Sequence, residues 1–290
     1  MALTVTQAFE KCLEDITATK HQKETLIPAK KNSAIENLTA TFPSTSDLPF
    51  SQAYLIGSAA KGTIVRLFDD VDVLAIFSNE KNAWNKYWND SAAFLYRIRR
   101  AYDGVSVQQV GARGQAVRVF FEKGGHVDVA PVFRDVAGHY SLPSGRGGWI
   151  NTAPLVANKW FADKNAGFGY NLAPVVRLLK KWNLAHSKRL QSFHLETMAA
   201  NLFGTLGTGR QKALFVFFNA ASSYIDVDDP GGQSGNLSSY LSYSGREDVK
   251  KSFILAATRA QNAIDAEAKG DHAEAERRWR ITLGSDFPTS

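Results

Sequence analysis

The sequence predicts an α/β (α+β) protein, a core built on a mixed sheet followed by a helical lobe. Three observations carry that expectation. Short apolar runs alternate with helix-like segments through the first half of the 290 residues, and glycines separate three further β-rich runs. From about Asn151 the apolar residues take a helical period instead. In order, segments 4–18 and 28–42 carry amphipathic helical patterns, with Pro28 suited to a first turn. "AYLIG" (Ala53–Gly57) reads as a short strand, "SAAKGTIVRL" as a loop entering a helix, and "DVDVLAIF" (Asp70–Phe77) as a second strand. Lys81–Tyr102 predicts one long helix, and "VSVQQV", "AVRVFFE" and "HVDVAPVF" predict three more strands. The Gly/Ser/Pro-rich stretch Leu142–Pro154 predicts a seam, dividing the chain into 1–150 and 151–290. Beyond it, "NLAPVVRLLKKW" places apolar residues at 172, 175, 176, 179 and 182. "HLETMAANLF", "KALFVFFNAASSYI" and segment 246–280 are helical too, interrupted by a loop at Asp226–Asn236.

Composition narrows the function classes. Hydrophobic content of 44% and charged content of 21% are ordinary for a globular chain able to bury a core. A single cysteine, Cys12, excludes an internal disulfide and a cysteine-based zinc site. The N-terminal segment lacks a signal peptide's apolar core, and no apolar run approaches the ~20 residues of a membrane span. A cytoplasmic protein with no membrane partner is expected. A net charge of +6 suits phosphate-bearing ligands, and a solvated basic surface accounts for it equally well.

The chemistry is concentrated between Gly57 and Asp128. Residues two apart on a strand share a face, so Asp70 and Asp72 project together while Asp69 points the other way. Burying paired carboxylates beside Val71, Val73, Leu74 and Ile76 is costly without a cationic partner. Asp128 sits between Val127 and Val129 in a matching context, and if the two strands are neighbours the three carboxylates converge. Hard oxygen ligands of this kind suit Mg²⁺ or Mn²⁺, and two ions about 3.5–4 Å apart could serve an in-line phosphoryl displacement. Gly57 lets backbone approach a phosphate, Ser58 adds a hydroxyl, and the N-terminus of the following helix adds N–H donors.

The succession "GSAAKGT", "DVD" and "VDVAPVF" resembles the DNA polymerase β superfamily of nucleotidyltransferases. "GGWINTAP", "VVRLLKKW" followed by "QSFHLETM", "DDPGGQSGNLSSYL" and "RRWRITLGSDFP" resemble its cGAS/DncV-like branch, the bacterial CD-NTases that make cyclic oligonucleotide signals. The likeness runs from about residue 28 to the end, and it is the order of the motifs that discriminates. It implies a polymerase β-like core with the active site in the cleft between core and helical lobe. It also implies that Asp70, Asp72 and Asp128 hold two metal ions and that Gly57 and Ser58 clamp a triphosphate. Lys180 and Ser192 would touch that triphosphate, and Asp229 and Asn236 lie in the loop resembling the base-contacting region, where a plain turn role is an equal alternative. Helix phase separates the neighbouring lysines: at 100° per residue Lys180 borders the apolar stripe, and Lys181 faces water.

The implied reaction joins NTPs (ATP, GTP or both, with pyrimidine NTPs open) into a cyclic di- or trinucleotide that reaches a downstream effector in anti-phage defence. The zinc-binding insertion of the animal sensor is missing, and the end "FPTS" does not match the small terminal residue used for conjugation to a partner protein. A nucleotidyltransferase acting on an RNA 3′ end or a protein hydroxyl is the rival enzyme class, and a basic nucleic-acid-binding module the non-enzymatic one. Acidic residues in a cleft repel phosphate unless cations intervene, which weighs against nucleic acid as the partner.

Overall fold

A computed structural model of the chain describes residues 3–66, 70–103, 107–121, 125–135 and 138–289, with backbone only for 107–113. Asp69 lies outside these residues. Its strands are β1 (Phe50–Leu55), β2 (Asp70–Phe77), β3 (Val107–Arg113), β4 (Ala116–Phe121), β5 (His126–Arg134), β6 (Tyr140–Pro143) and β7 (Trp149–Thr152). They form one mixed sheet in the order β1-β2-β5-β4-β3, with β6 joining the far end of β5 and β7 pairing β6. Only β2 and β5 run parallel; the other pairs are antiparallel. Their register sets Asp72 beside Asp128.

β2 is covered on both faces, which explains its nearly unbroken apolar run. Val71, Val73, Ala75 and Phe77 enter the main core of the sheet with α2 (Ile27–Thr41) and α5 (Ser91–Arg99), whereas Leu74 and Ile76 pack with Val132, Tyr140 and Leu142. Asp70 and Asp72 lie at the open end of this second face. The period of two therefore separates a packing face from a chemical one on the same strand.

The helical lobe comprises α6 (Pro154–Gly167), α7 (Leu172–Ala185), α8 (Ser192–Leu202), α9 (Arg210–Ala221), α10 (Tyr243–Ala268) and α11 (His272–Leu283). The N-terminal helix α1 (Val5–Ile16) joins it: Val5, Ala8, Phe9, Cys12 and Ile16 bury one face in the lobe's core. Phe9 stands edge-on to Trp279 at 4.9 Å and to Phe287 at 5.1 Å. Each such aromatic burial is worth roughly 1.5–3 kcal/mol. Thr4 and Gln7 close a capping box at the start of α1.

Several expectations are corrected. The long helix expected over Lys81–Tyr102 is broken into α4 (Trp84–Tyr87), α5 and a 3-10 turn at Arg100–Tyr102. Asp90 accepts from Ala93 N and restarts the chain as a new helix, while Trp149 Nε1 donates to the carbonyls of Tyr87 and Trp88 at the end of α4. The seam Leu142–Pro154 is largely a hairpin, β6–β7, turning through Gly145 and Gly147 at positive φ. The division expected at 150 thus falls inside β7. Segment 246–280 is α10 and α11, parted at Gly270 with φ +81° and restarted by Asp271 accepting from Glu274 N. Among the described residues no helix is long and apolar enough to cross a membrane.

Lys181 does not face water. The tail after α11 folds over that side of α7, and Asp286 meets Lys181 Nζ at 2.6 Å, leaving the lysine side chain 8% exposed. Asp286→Ala strands this charge, whereas Lys181→Ala leaves only a solvated carboxylate. In denaturant titrations Asp286→Ala is expected to cost roughly 1–3 kcal/mol, and Lys181→Ala less.

Candidate active site

A cavity of about 510 Å³ opens between the sheet and the helical lobe. Gly57, Ser58, Asp70, Asp72, Lys180 and Ser192 all line it, so the structure gathers six of the sequence-derived candidates from four separate elements. The sheet contributes the carboxylates, α7 contributes Lys180 and the start of α8 contributes Ser192.

Gly57 is the tightest joint. It adopts φ +64°, and a Cβ there would overlap Asp72 Oδ2. Both facts require glycine, because other residues resist the left-handed region and any side chain would displace the carboxylate. The helix expected after it is only one turn, α3 (Gly57–Ala60). Gly62 at φ +66° turns the chain away, and Thr63 N returns to Ser58 O. Gly57 and Ser58 therefore sit in a tight turn, with Gly57 against Asp72, and so short a helix has little dipole to offer.

Burial pushes the Asp72 carboxyl up to about 7, and the neighbouring Asp70 and Asp128 add to the rise. Lys61 and Lys180 offset part of it. The site is thus short of positive charge at the tip of β2. Asp128 stands across from Asp72 in register, but its carboxylate is taken by an arginine absent from the sequence reading. Arg118, opposite it on β4, donates Nε to Oδ1 at 2.7 Å and Nη2 to Oδ2 at 2.6 Å. This paired fork is the strong form of the contact. Its sequence signal was a lone arginine between Val117 and Val119 on an apolar strand.

Divalent ions fit the chemistry of this donor set: hard carboxylate oxygens share one strand face, and burial beside two further carboxylates raises the Asp72 carboxyl, a cost that a cation would relieve. Among the described residues, no three acidic or histidine side chains stand close enough to enclose one ion together. Asp70 and Asp72 share that face, while both oxygens of Asp128 are held by Arg118.

A second charged group at the cavity wall also escaped the sequence. Glu196 of α8 is buried, with Lys61 Nζ at 2.5 Å from Oε2 and Lys180 Nζ at 2.6 Å from Oε1. The Thr63 hydroxyl donates to Oε1, and Lys180 Nζ reaches Thr63 O at 3.2 Å. Burial would lift the Glu196 carboxyl, but the two lysines outweigh it and hold it below the ordinary carboxylate range. Burial likewise draws Lys180 below the ordinary lysine range, against the pull of Glu196. A glutamate inside the apolar run "HLETM" was the available hint.

Asp229 and Asn236 are not brought into the cavity lining. Asp229 is buried and accepts from Gly231, Gln233 and Ser234 backbone N–H groups, which folds its loop. Asn236 accepts from Ser238 N and donates to Asp226. Both side chains hold the turn itself together.

Residues 3–165 match the profile of the Second Messenger Oligonucleotide or Dinucleotide Synthetase domain. A cyclic AMP-AMP-AMP synthase of Escherichia coli (strain MS 115-1) is 31% identical, over 80% of this chain and 81% of that one. A probable cyclic nucleotide synthase of Bacillus cereus (strain VD146) is 24% identical over the same shares. In fold, the chain is similar to E. coli MS115-1 CdnC in its complex with HORMA-deltaN (TM-score 0.79, 20% identity, 98% of this chain and 99% of that one). It is also similar to Vibrio cholerae DncV cyclic AMP-GMP synthase bound to the linear intermediate 5′ pppA(3′,5′)pG (TM-score 0.76, 14% identity, 100% and 97%). With more than half its length matched by the family profile, the chain belongs to the Second Messenger Oligonucleotide or Dinucleotide Synthetase family, the cGAS/DncV-like nucleotidyltransferases.

Proposed function

We propose that this enzyme joins NTPs into a cyclic di- or trinucleotide second messenger, in the cytoplasm and in the service of anti-phage defence. The observation that carries the reading is the β2 carboxylate pair set against the Gly57 turn, in a cavity that Lys180 and Ser192 also line. Two divalent ions, Mg²⁺ or Mn²⁺, would be held by Asp70 and Asp72 and completed by Asp128. When bound they neutralise the triphosphate and lower the cost of displacing pyrophosphate.

The chain's own groups do the rest. Ser58, Lys180 and Ser192 grip the triphosphate, and Gly57 keeps the turn close enough for that grip. Asp128, released from Arg118, accepts the proton of the acceptor ribose hydroxyl. That oxygen then attacks the α-phosphorus, a new P–O bond forms, and the bond to pyrophosphate breaks. A linear product with its own triphosphate must be turned and bound again for ring closure, with a further transfer giving a trinucleotide. Downstream, the product carries the signal to an effector.

Incubation with four radiolabelled NTPs and Mg²⁺ or Mn²⁺, without added polymer, tests this. The expected product is small and survives phosphatase, because a ring has no terminal phosphate. A phosphatase-sensitive product, or label found only on RNA or protein, would overturn the cyclase reading.

A further inference from the structure

At the back of the cavity two lysines share one carboxylate, which leaves one positive charge over. Side-chain exposure is 4% for Lys61, 8% for Lys180 and 2% for Glu196, so water does little to screen the group. The two lysines are not equivalent. Lys61 holds Oε2 of Glu196, and the Phe193 ring covers its ammonium at 4.5 Å. Lys180 shares Oε1 with the Thr63 hydroxyl and spends its remaining bonds on Thr63 O at 3.2 Å and Oγ1 at 3.0 Å. Those are neutral partners that an anion can replace.

We propose that Lys61 is a positioning residue for the nucleotide: it neutralises Glu196 and so leaves the charge of Lys180 for the incoming triphosphate. The inference rests on the reading of Lys180 as a triphosphate contact. A buried carboxylate stripped of one partner is strongly destabilised. Without Lys61, Glu196 therefore draws fully on Lys180, and a phosphate oxygen must break that ion pair before it can bind. The arrangement also explains why a glutamate can sit in a cavity built for an anion. It is cancelled from behind.

Calorimetric titration with ATP, and separately with inorganic tripolyphosphate, tests the proposal on Lys61→Met, Lys61→Arg, Lys180→Ala and the double variant Lys61→Met/Glu196→Gln. Lys61→Met is expected to weaken both ligands roughly tenfold, the scale of one charge-assisted bond. Lys61→Arg should bind as wild type. The double variant should recover most of the loss, because the Glu196 carboxylate that paired with Lys180 is gone. A structural brace would behave differently, with a lowered Tm and unchanged affinity, or with a double variant no better than Lys61→Met. Either result overturns the proposal. If Lys61→Met does not fold, the double variant decides by the same criterion, and if neither folds the group is a brace and the proposal fails. Lys180→Ala separates the two levels: unchanged affinity there removes the reading of Lys180 itself. Weakened binding there beside a normal Lys61→Met removes only the role of Lys61.

Discussion

Asp70→Asn/Asp72→Asn protein is expected to form no detectable cyclic product while remaining folded. Each change removes a negative oxygen ligand and almost no volume, so the packing of Leu74, Ile76 and Val132 behind the pair is untouched. Nucleotide chromatography after overnight incubation is the measurement, with circular dichroism as the control for folding. Wild-type turnover in the folded double variant would sink the two-metal proposal.

The same site makes a prediction about pH. The Asp72 carboxyl is pushed up to about 7 in the folded protein, against about 4 in an unfolded chain. Between those values the folded state holds a proton that the unfolded state has released, so stability falls as pH rises through this window. Asp72→Asn lacks the effect. In chelator, its Tm advantage over the wild type should grow from pH 4 to pH 7 and level off above it. A difference that does not vary with pH would show that Asp72 is ionised throughout.

Gly57→Ala is expected to lower product formation on the order of a hundredfold, the usual penalty for displacing a catalytic group by about 1 Å. Two costs fall together, the left-handed backbone at φ +64° and the overlap with Asp72 Oδ2. Gly62→Ala provides the comparison: it has a similar φ of +66° but open space around the added carbon. If both variants lose activity equally, backbone strain alone is responsible and the contact with Asp72 is irrelevant.

The legible part of the site was the part written in short-range periodicity. Asp70, Asp72 and Asp128 stood out as candidates because a two-residue period on an apolar strand puts carboxylates where they are expensive. Gly57 could be found because glycine marks sharp turns. What stayed hidden depends on contacts distant in sequence. Thr63 and Glu196 are 133 residues apart, and neither flanking pattern announces the other. Helix phase placed Lys181 toward water, and only the returning tail with Asp286 changes that. In the fold, β6 and β7 are four residues each and read as loop, and α6 buries little besides Ala157 and Phe161, too few to set a period.

The position of α1 has a consequence for how the protein is made. Phe9 and its neighbour Trp279 are separated by 270 residues, so the helix leaves the ribosome long before its partners exist. At about 5–20 residues per second that delay lasts roughly 15–50 s. α7 follows first and α11 last, so Val5, Phe9 and Ile16 have no native surface early in that delay and only part of one until α11 emerges. The sheet can assemble during synthesis, but the helical lobe can close only after α11 has emerged. A nascent chain held that long with an incompletely covered apolar helix is a natural client for chaperones that bind near the tunnel exit.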